Sequence, residues 1–120
     1  MSRILIAVSD SEQFDLIEEI LVARMPDVQI DRVEDENRAK AKIGSRTYQL
    51  VIAHQHLARD SKTPIQENEA RGLLLVQWLD AGGIRIPAIL LAFQSDKEVI
   101  AATNRLPNCE SVFIGLDRWE

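Results

Sequence analysis

The chain has a single cysteine, Cys109. That excludes an internal disulfide and any site built from several cysteine ligands, so folding must rest on an apolar core, and Cys109 is expected to be an inert packed or half-exposed thiol. Positive charge is also scarce: 14 Lys and Arg stand against 19 Asp and Glu, giving a net charge of −5 with the two signs interspersed. No positive field gathers phosphate backbones or anionic headgroups, which argues against nucleic acid and membrane surfaces as partners. Long apolar runs are missing too. The first, Ile4 to Val8 in MSRILIAVSDSE, is five residues long, too short for a signal-peptide core or a membrane-spanning helix. The expected compartment is the cytoplasm, and Met-Ser-Arg-Ile reads as a true amino terminus. Glycine is absent where two chemistries would need it, since none follows the first apolar run and no G-x-S-x-G occurs anywhere.

What is present is 120 residues, 46% apolar and 28% charged. This is the composition of one globular domain spanning 1–120, able to bury roughly two thirds of the surface its unfolded form exposes. Internal repeats and low-complexity tracts are absent.

Short apolar runs alternate with stretches of helical period, the pattern of a parallel sheet with crossover helices. The runs are Ile4 to Val8, Val28 to Val33, Leu50 to Ala53, Ala88 to Ala92 and Ser111 to Ile114. The first, third and fourth are almost continuously apolar, as strands covered on both faces must be. Val28-Gln29-Ile30-Asp31-Arg32-Val33 alternates instead and is placed at a half-exposed edge. Phe14, Ile17, Ile20, Leu21 and Met25 recur at helical spacing, with Ser9 or Asp10 as the cap. A second helix is predicted from about Glu36 to Ile43, stopped by Gly44, and a third from about Glu69 to Ala81, stopped by Gly82-Gly83. The fourth runs from a Ser95 cap, with Glu98 reaching back, to about Arg105. The segment from about 55 to 68, including HLARDSKTPIQEN, is long for a strand-to-helix connection and is either a functional loop or an insertion.

The order of these elements, together with RILIAVSDSE, YQLVIAHQHL, GLLLVQWLDAGGIRIPAILLAF and SDKEVIAATNRLPNCESVFIG, resembles the receiver domain of bacterial two-component response regulators. The resemblance extends from Arg3 to about Leu116. It implies a flavodoxin-like, doubly wound α/β fold, a five-stranded parallel sheet in the order 2-1-3-4-5. In such receivers an acidic pair after the first strand holds magnesium, an aspartate ending the third strand attacks a phosphoryl group, and a hydroxyl and a lysine bind its oxygens. Aligned by strand, the acidic pair falls on Val8 and Ser9 with Asp10 just beyond. The phosphoacceptor falls on His54, the hydroxyl on Ala92, and the lysine and the proline after it on Gly115 and Leu116. None of the five roles keeps its residue. Register shifts do not repair this, because Ile86 to Phe93 contains no hydroxyl side chain and Cys109 to Asp117 no lysine.

The same residues admit other chemistries. Asp10, His54 and His56 could hold a divalent transition metal where the first and third strands end side by side, but the two imidazoles are expected to diverge, which weighs against a shared ion. Ser9 or Ser11 activated by His54 would lack an oxyanion hole. A phosphate cradle at Ser9-Asp10-Ser11-Glu12 would lack glycine and carry two repelling carboxylates. With an ordinary pKa near 6.5, His54 beside Asp10 is expected to titrate in the physiological range.

The resulting expectation is a pseudo-receiver, neither an enzyme nor dependent on a cofactor. It would act through a protein partner: a histidine kinase, a downstream output domain, or a second copy in a homodimer. The rival is a small-molecule or metal sensor built around Ser9, Asp10 and His54. The fifth helix of a receiver is truncated or absent here, so either the chain continues beyond Glu120 or a second copy, sealed by Trp119, covers an apolar strip over the first and fifth strands. Trp78 is expected in the core.

Overall fold

The computed structural model describes residues 2–65, 69–93 and 96–113. Five strands alternate with four helices: β1 (Arg3–Ala7), α1 (Ser11–Arg24), β2 (Gln29–Val33), α2 (Glu36–Ser45), β3 (Leu50–His54), α3 (Arg71–Ala81), β4 (Ala88–Ala92), α4 (Lys97–Asn104) and β5 (Cys109–Phe113). They form one sheet in the order β2-β1-β3-β4-β5, every pair parallel. This is the doubly wound, flavodoxin-like arrangement.

Alternation along the strands divides the core in two. Leu5, Ala7, Val51, Ala53, Leu90 and Ala92 point to one face and pack with Ala39 and Ile43 of α2, Leu75, Val76 and Leu79 of α3, and Val99 of α4. Ile4, Ile6, Val8, Ile52 and Leu91 point to the other and pack with Ile17 of α1. Leu5, Ile6, Val51 and Leu90 are sealed from solvent, as strands flanked on both faces and both edges must be. β2 lies at the edge, where only Val33 of the strand is buried. Trp78 packs half-buried against the larger cluster, with the Lys40 ammonium 5.4 Å from its ring.

Side-chain caps set the starts of three helices. The carboxylates of Asp10, Asp35 and Asp96 accept backbone N–H bonds from Glu12, Arg38 and Val99 respectively, satisfying donors that the first helical turn leaves open. Asp96 therefore caps α4 in place of the expected Ser95, which lies outside the described residues. Nor does Gly44 stop α2; the helix continues to Ser45, and the Arg46 N–H donates to the Lys42 carbonyl. The predicted stop of α3 is real: Gly83 turns the chain with φ 69°, a conformation that costs glycine little. α3 starts at Arg71 rather than Glu69, and β5 starts at Cys109, two residues early. Ile114, Gly115, Leu116, Trp119 and the expected fifth helix lie outside the described residues. No helix among the described residues is long and apolar enough to cross a membrane.

Candidate functional site

β1 pairs with β2 on one side and with β3 on the other, so the chain reverses direction across the sheet at β1 and opens a crevice at the carboxyl ends of β1 and β3. Ligands of this architecture bind in such a crevice. Val8 is sealed in the core, and its N–H donates to the Val33 carbonyl at 3.0 Å. Ser9 is half-buried. Its hydroxyl donates to the Glu34 carbonyl at 2.7 Å and accepts from the Ala58 N–H at 3.1 Å, so it joins three chain segments. Removing this hydroxyl leaves a carbonyl and an N–H without their partner, and Ser9→Ala is expected to lower the unfolding free energy by about 1–2 kcal/mol in urea titration. Asp10 is exposed and caps α1, one oxygen accepting from the Glu12 N–H at 2.9 Å.

His54 closes β3 and is only 7% exposed. Its Nδ1 accepts from the His56 N–H at 3.0 Å, so the proton of the neutral ring sits on Nε2; that nitrogen is buried with no partner among the described residues. The ring meets Phe93 edge-on, centroids 5.8 Å apart. Burial pushes the imidazole down to about 4, the His56 charge adds to this, and Asp10 opposes it. The expected physiological titration is therefore overturned: water is excluded from the ring, which disfavours its cationic form. The expected divergence of the histidines is also overturned. Residues two apart on an extended segment share a face, and the His54 and His56 centroids lie 6.1 Å apart, with His56 also 4.6 Å from Phe93.

These rings do not amount to a metal centre. Among the described residues no three histidine, cysteine or carboxylate groups are placed to share an ion. A cavity of about 520 Å³ lies at the other end of the sheet, where β4 begins, walled by Val76, Leu79, Ile84, Ile86, Leu106 and Cys109. It is remote from Ser9, Asp10 and His54, the residues expected to line a sensor pocket. The Cys109 thiol is half-buried, and burial pushes it up to about 11, consistent with the inert role expected of it. Ala92 ends β4 fully buried, with only a methyl group to offer. Gly115 lies outside the described residues.

Three features were not anticipated from the sequence. Gln55, between the histidines, is 1% exposed. Its amide oxygen accepts from the Phe93 N–H at 3.0 Å, and its amide nitrogen donates to Asp96 at 2.6 Å. Gly72 lies against the end of β3, where an added Cβ would come 2.0 Å from the His54 carbonyl oxygen; a glycine inside an otherwise strong helical pattern is the signal that could have exposed it. Finally, the segment after His56 is folded at its start. Leu57 is fully buried, Ala58 bridges to Asp35, and the Ala58 carbonyl accepts from the Glu36 N–H at 2.8 Å. The buried Glu36 carboxylate lies 3.4 Å from Lys40 and 3.3 Å from Arg71, tying α2 to the start of α3.

No family model matches the chain, and no curated protein matches it. Solved structures do. Response regulator TrrA from Thermotoga maritima, determined with Mg2+–BeF, aligns with a TM-score of 0.70 at 21% identity over 98% of this chain and 90% of its own. The Mn2+-bound form of response regulator Rcp1 aligns at 0.77 and 16% identity over 99% and 85%. The phosphorylated cyanobacterial phytochrome response regulator RcpA aligns at 0.73 and 16% identity over 97% and 82%. What this chain shares with them is the fold of a receiver domain.

Proposed function

We propose that this protein is a pseudo-receiver, a cytoplasmic signalling module that is not phosphorylated on aspartate and works by protein–protein contact in a two-component or related pathway. One observation carries the reading. The residue that ends the central strand, where a receiver's nucleophilic carboxylate stands, is a buried neutral imidazole whose Nδ1 already accepts a hydrogen bond. Its surroundings support the same conclusion. Val8 and Ser9 occupy the positions of the acidic pair and Ala92 that of the hydroxyl, while Asp10 caps a helix. A single exposed carboxylate is a poor magnesium site, since that ion is usually held by carboxylates together with phosphate oxygens. Matched strand by strand to the receiver pattern, Gly115 falls at the lysine position.

The module's partner is then a protein: a histidine kinase, an output domain, or a second copy of the chain. Incubation with acetyl phosphate and magnesium tests the reading. Intact-mass analysis should show an unmodified chain under conditions that phosphorylate an ordinary receiver. A hydroxylamine-labile phosphoryl adduct mapped to an aspartate would end the pseudo-receiver interpretation.

A further inference from the structure

Gln55 joins more of this molecule than any role assigned above requires. Its backbone continues the sheet, the N–H donating to the Leu91 carbonyl at 2.9 Å and the carbonyl accepting from the Gly72 N–H at 3.2 Å. Its side chain then crosses to the next strand and the helix beyond it. The amide oxygen takes the Phe93 N–H, and the amide nitrogen gives a 2.6 Å bond to one oxygen of Asp96, whose other oxygen accepts from the Val99 N–H as the cap of α4. The Asp96 N–H in turn donates to the Phe93 carbonyl, and its own carbonyl accepts from the Ile100 N–H. One side chain, 1% exposed, thus links the ends of β3 and β4 to the first turn of α4.

We propose that Gln55 is a built-in lock that holds α4 against the sheet in one fixed orientation, independent of any ligand at the crevice. The chemistry favours permanence. A carboxamide never titrates, offers one acceptor and one donor group in a fixed plane, and meets a complementary backbone donor and a charged acceptor here. Gln55 is sealed from solvent while Phe93 and Asp96 are half-buried, so the bonds are partly shielded from water and leaving the buried amide unpaired is costly. The inference concerns regulation of the proposed module, whose α4 surface is then presented constitutively. It stands on hydrogen bonds rather than on the missing phosphorylation chemistry, so the two can fail separately.

Amide hydrogen exchange on the whole chain tests the lock, with the amides of Ile100 to Thr103 in α4 compared with those of Ala39 to Ile43 in α2. Gln55→Leu removes both side-chain bonds at similar volume. Gln55→Glu keeps the shape but sets a carboxylate against Asp96. Both should speed exchange in α4 at least tenfold relative to α2. Gln55→Glu combined with Asp96→Asn reverses donor and acceptor, since the new carboxylate accepts from Phe93 and from the Asn amide while the Asn oxygen still caps Val99. The pair should recover protection relative to Gln55→Glu alone. If Gln55→Glu or the pair does not fold, Gln55→Leu decides. Equal acceleration of α2 and α4, or none in either, would overturn the lock and leave Gln55 an ordinary buried amide, whatever acetyl phosphate does.

Discussion

Gly72→Ala should destabilise the protein by about 3 kcal/mol, near the upper end of what overpacking a core costs. For a domain of this size that is a fall of roughly 10 °C in melting temperature. Helix propensity alone predicts the opposite sign, because alanine is favoured over glycine in a helix interior by about 1 kcal/mol. Packing decides. A Cβ on Gly72 would stand 2.0 Å from the carbonyl oxygen and 2.7 Å from the carbonyl carbon of His54, and these are backbone atoms of a strand paired on both sides. β3 cannot retreat, so α3 must lift. Leu75, Val76 and Leu79, which bury the larger half of the core, would lift with it. Gly44 supplies the internal control. It also lies in a helix, but a Cβ there meets nothing within 4 Å, so Gly44→Ala should stabilise by up to about 1 kcal/mol. Urea midpoints that move the same way for both variants would refute the close-approach argument.

Acid should weaken the fold through His54. In the unfolded chain the imidazole takes up its proton as pH falls through about 6.5, whereas in the folded protein burial delays this to about 4. Between those values the unfolded state binds more protons, so stability falls as pH falls, and the loss is complete below about 4. The separation corresponds to about 3 kcal/mol. Above pH 6.5 both states are neutral and His54 contributes no pH dependence. His54→Asn isolates the effect, because its side-chain oxygen can replace Nδ1 as acceptor for the His56 N–H while nothing at the position titrates. Its stability between pH 7 and pH 4 should fall by about 3 kcal/mol less than that of the wild type. Parallel curves for the two proteins would show that the ring is hydrated or partnered when charged. This response is a stability liability confined to acid, and it replaces the physiological switch expected from an imidazole beside Asp10.

The strands were legible because burial on both faces demands near-continuous apolar residues, as in Ile4 to Val8 and Ala88 to Ala92, and because an edge strand admits polar residues among apolar ones, as in Gln29 to Val33. Both are local patterns. The side chains that end the strands, His54 on β3 and Ala92 on β4, were legible for a related reason: a carboxylate, hydroxyl or ammonium either stands in a given short stretch or does not, whatever the fold does afterwards. Helix ends were read less well where two signals compete. Gly44 looks like a stop but lies in the last turn of α2, since nothing there needs a positive φ, and capping of α4 fell to Asp96, one residue after the expected serine.

Composition and order alone determined the α/β class and the five-stranded parallel sheet, since those properties depend on which residues are present and at what period. The state of His54, the partners of Gln55 and the need for glycine at position 72 were decided only in three dimensions. His54 is pushed to about 4 by exclusion of water, a property of everything packed around it. Gln55 meets Asp96, 41 residues away, and Gly72 meets the His54 backbone across a helix–strand contact. Desolvation and close approach depend on distances between segments remote in sequence, and those distances exist only once the core has closed.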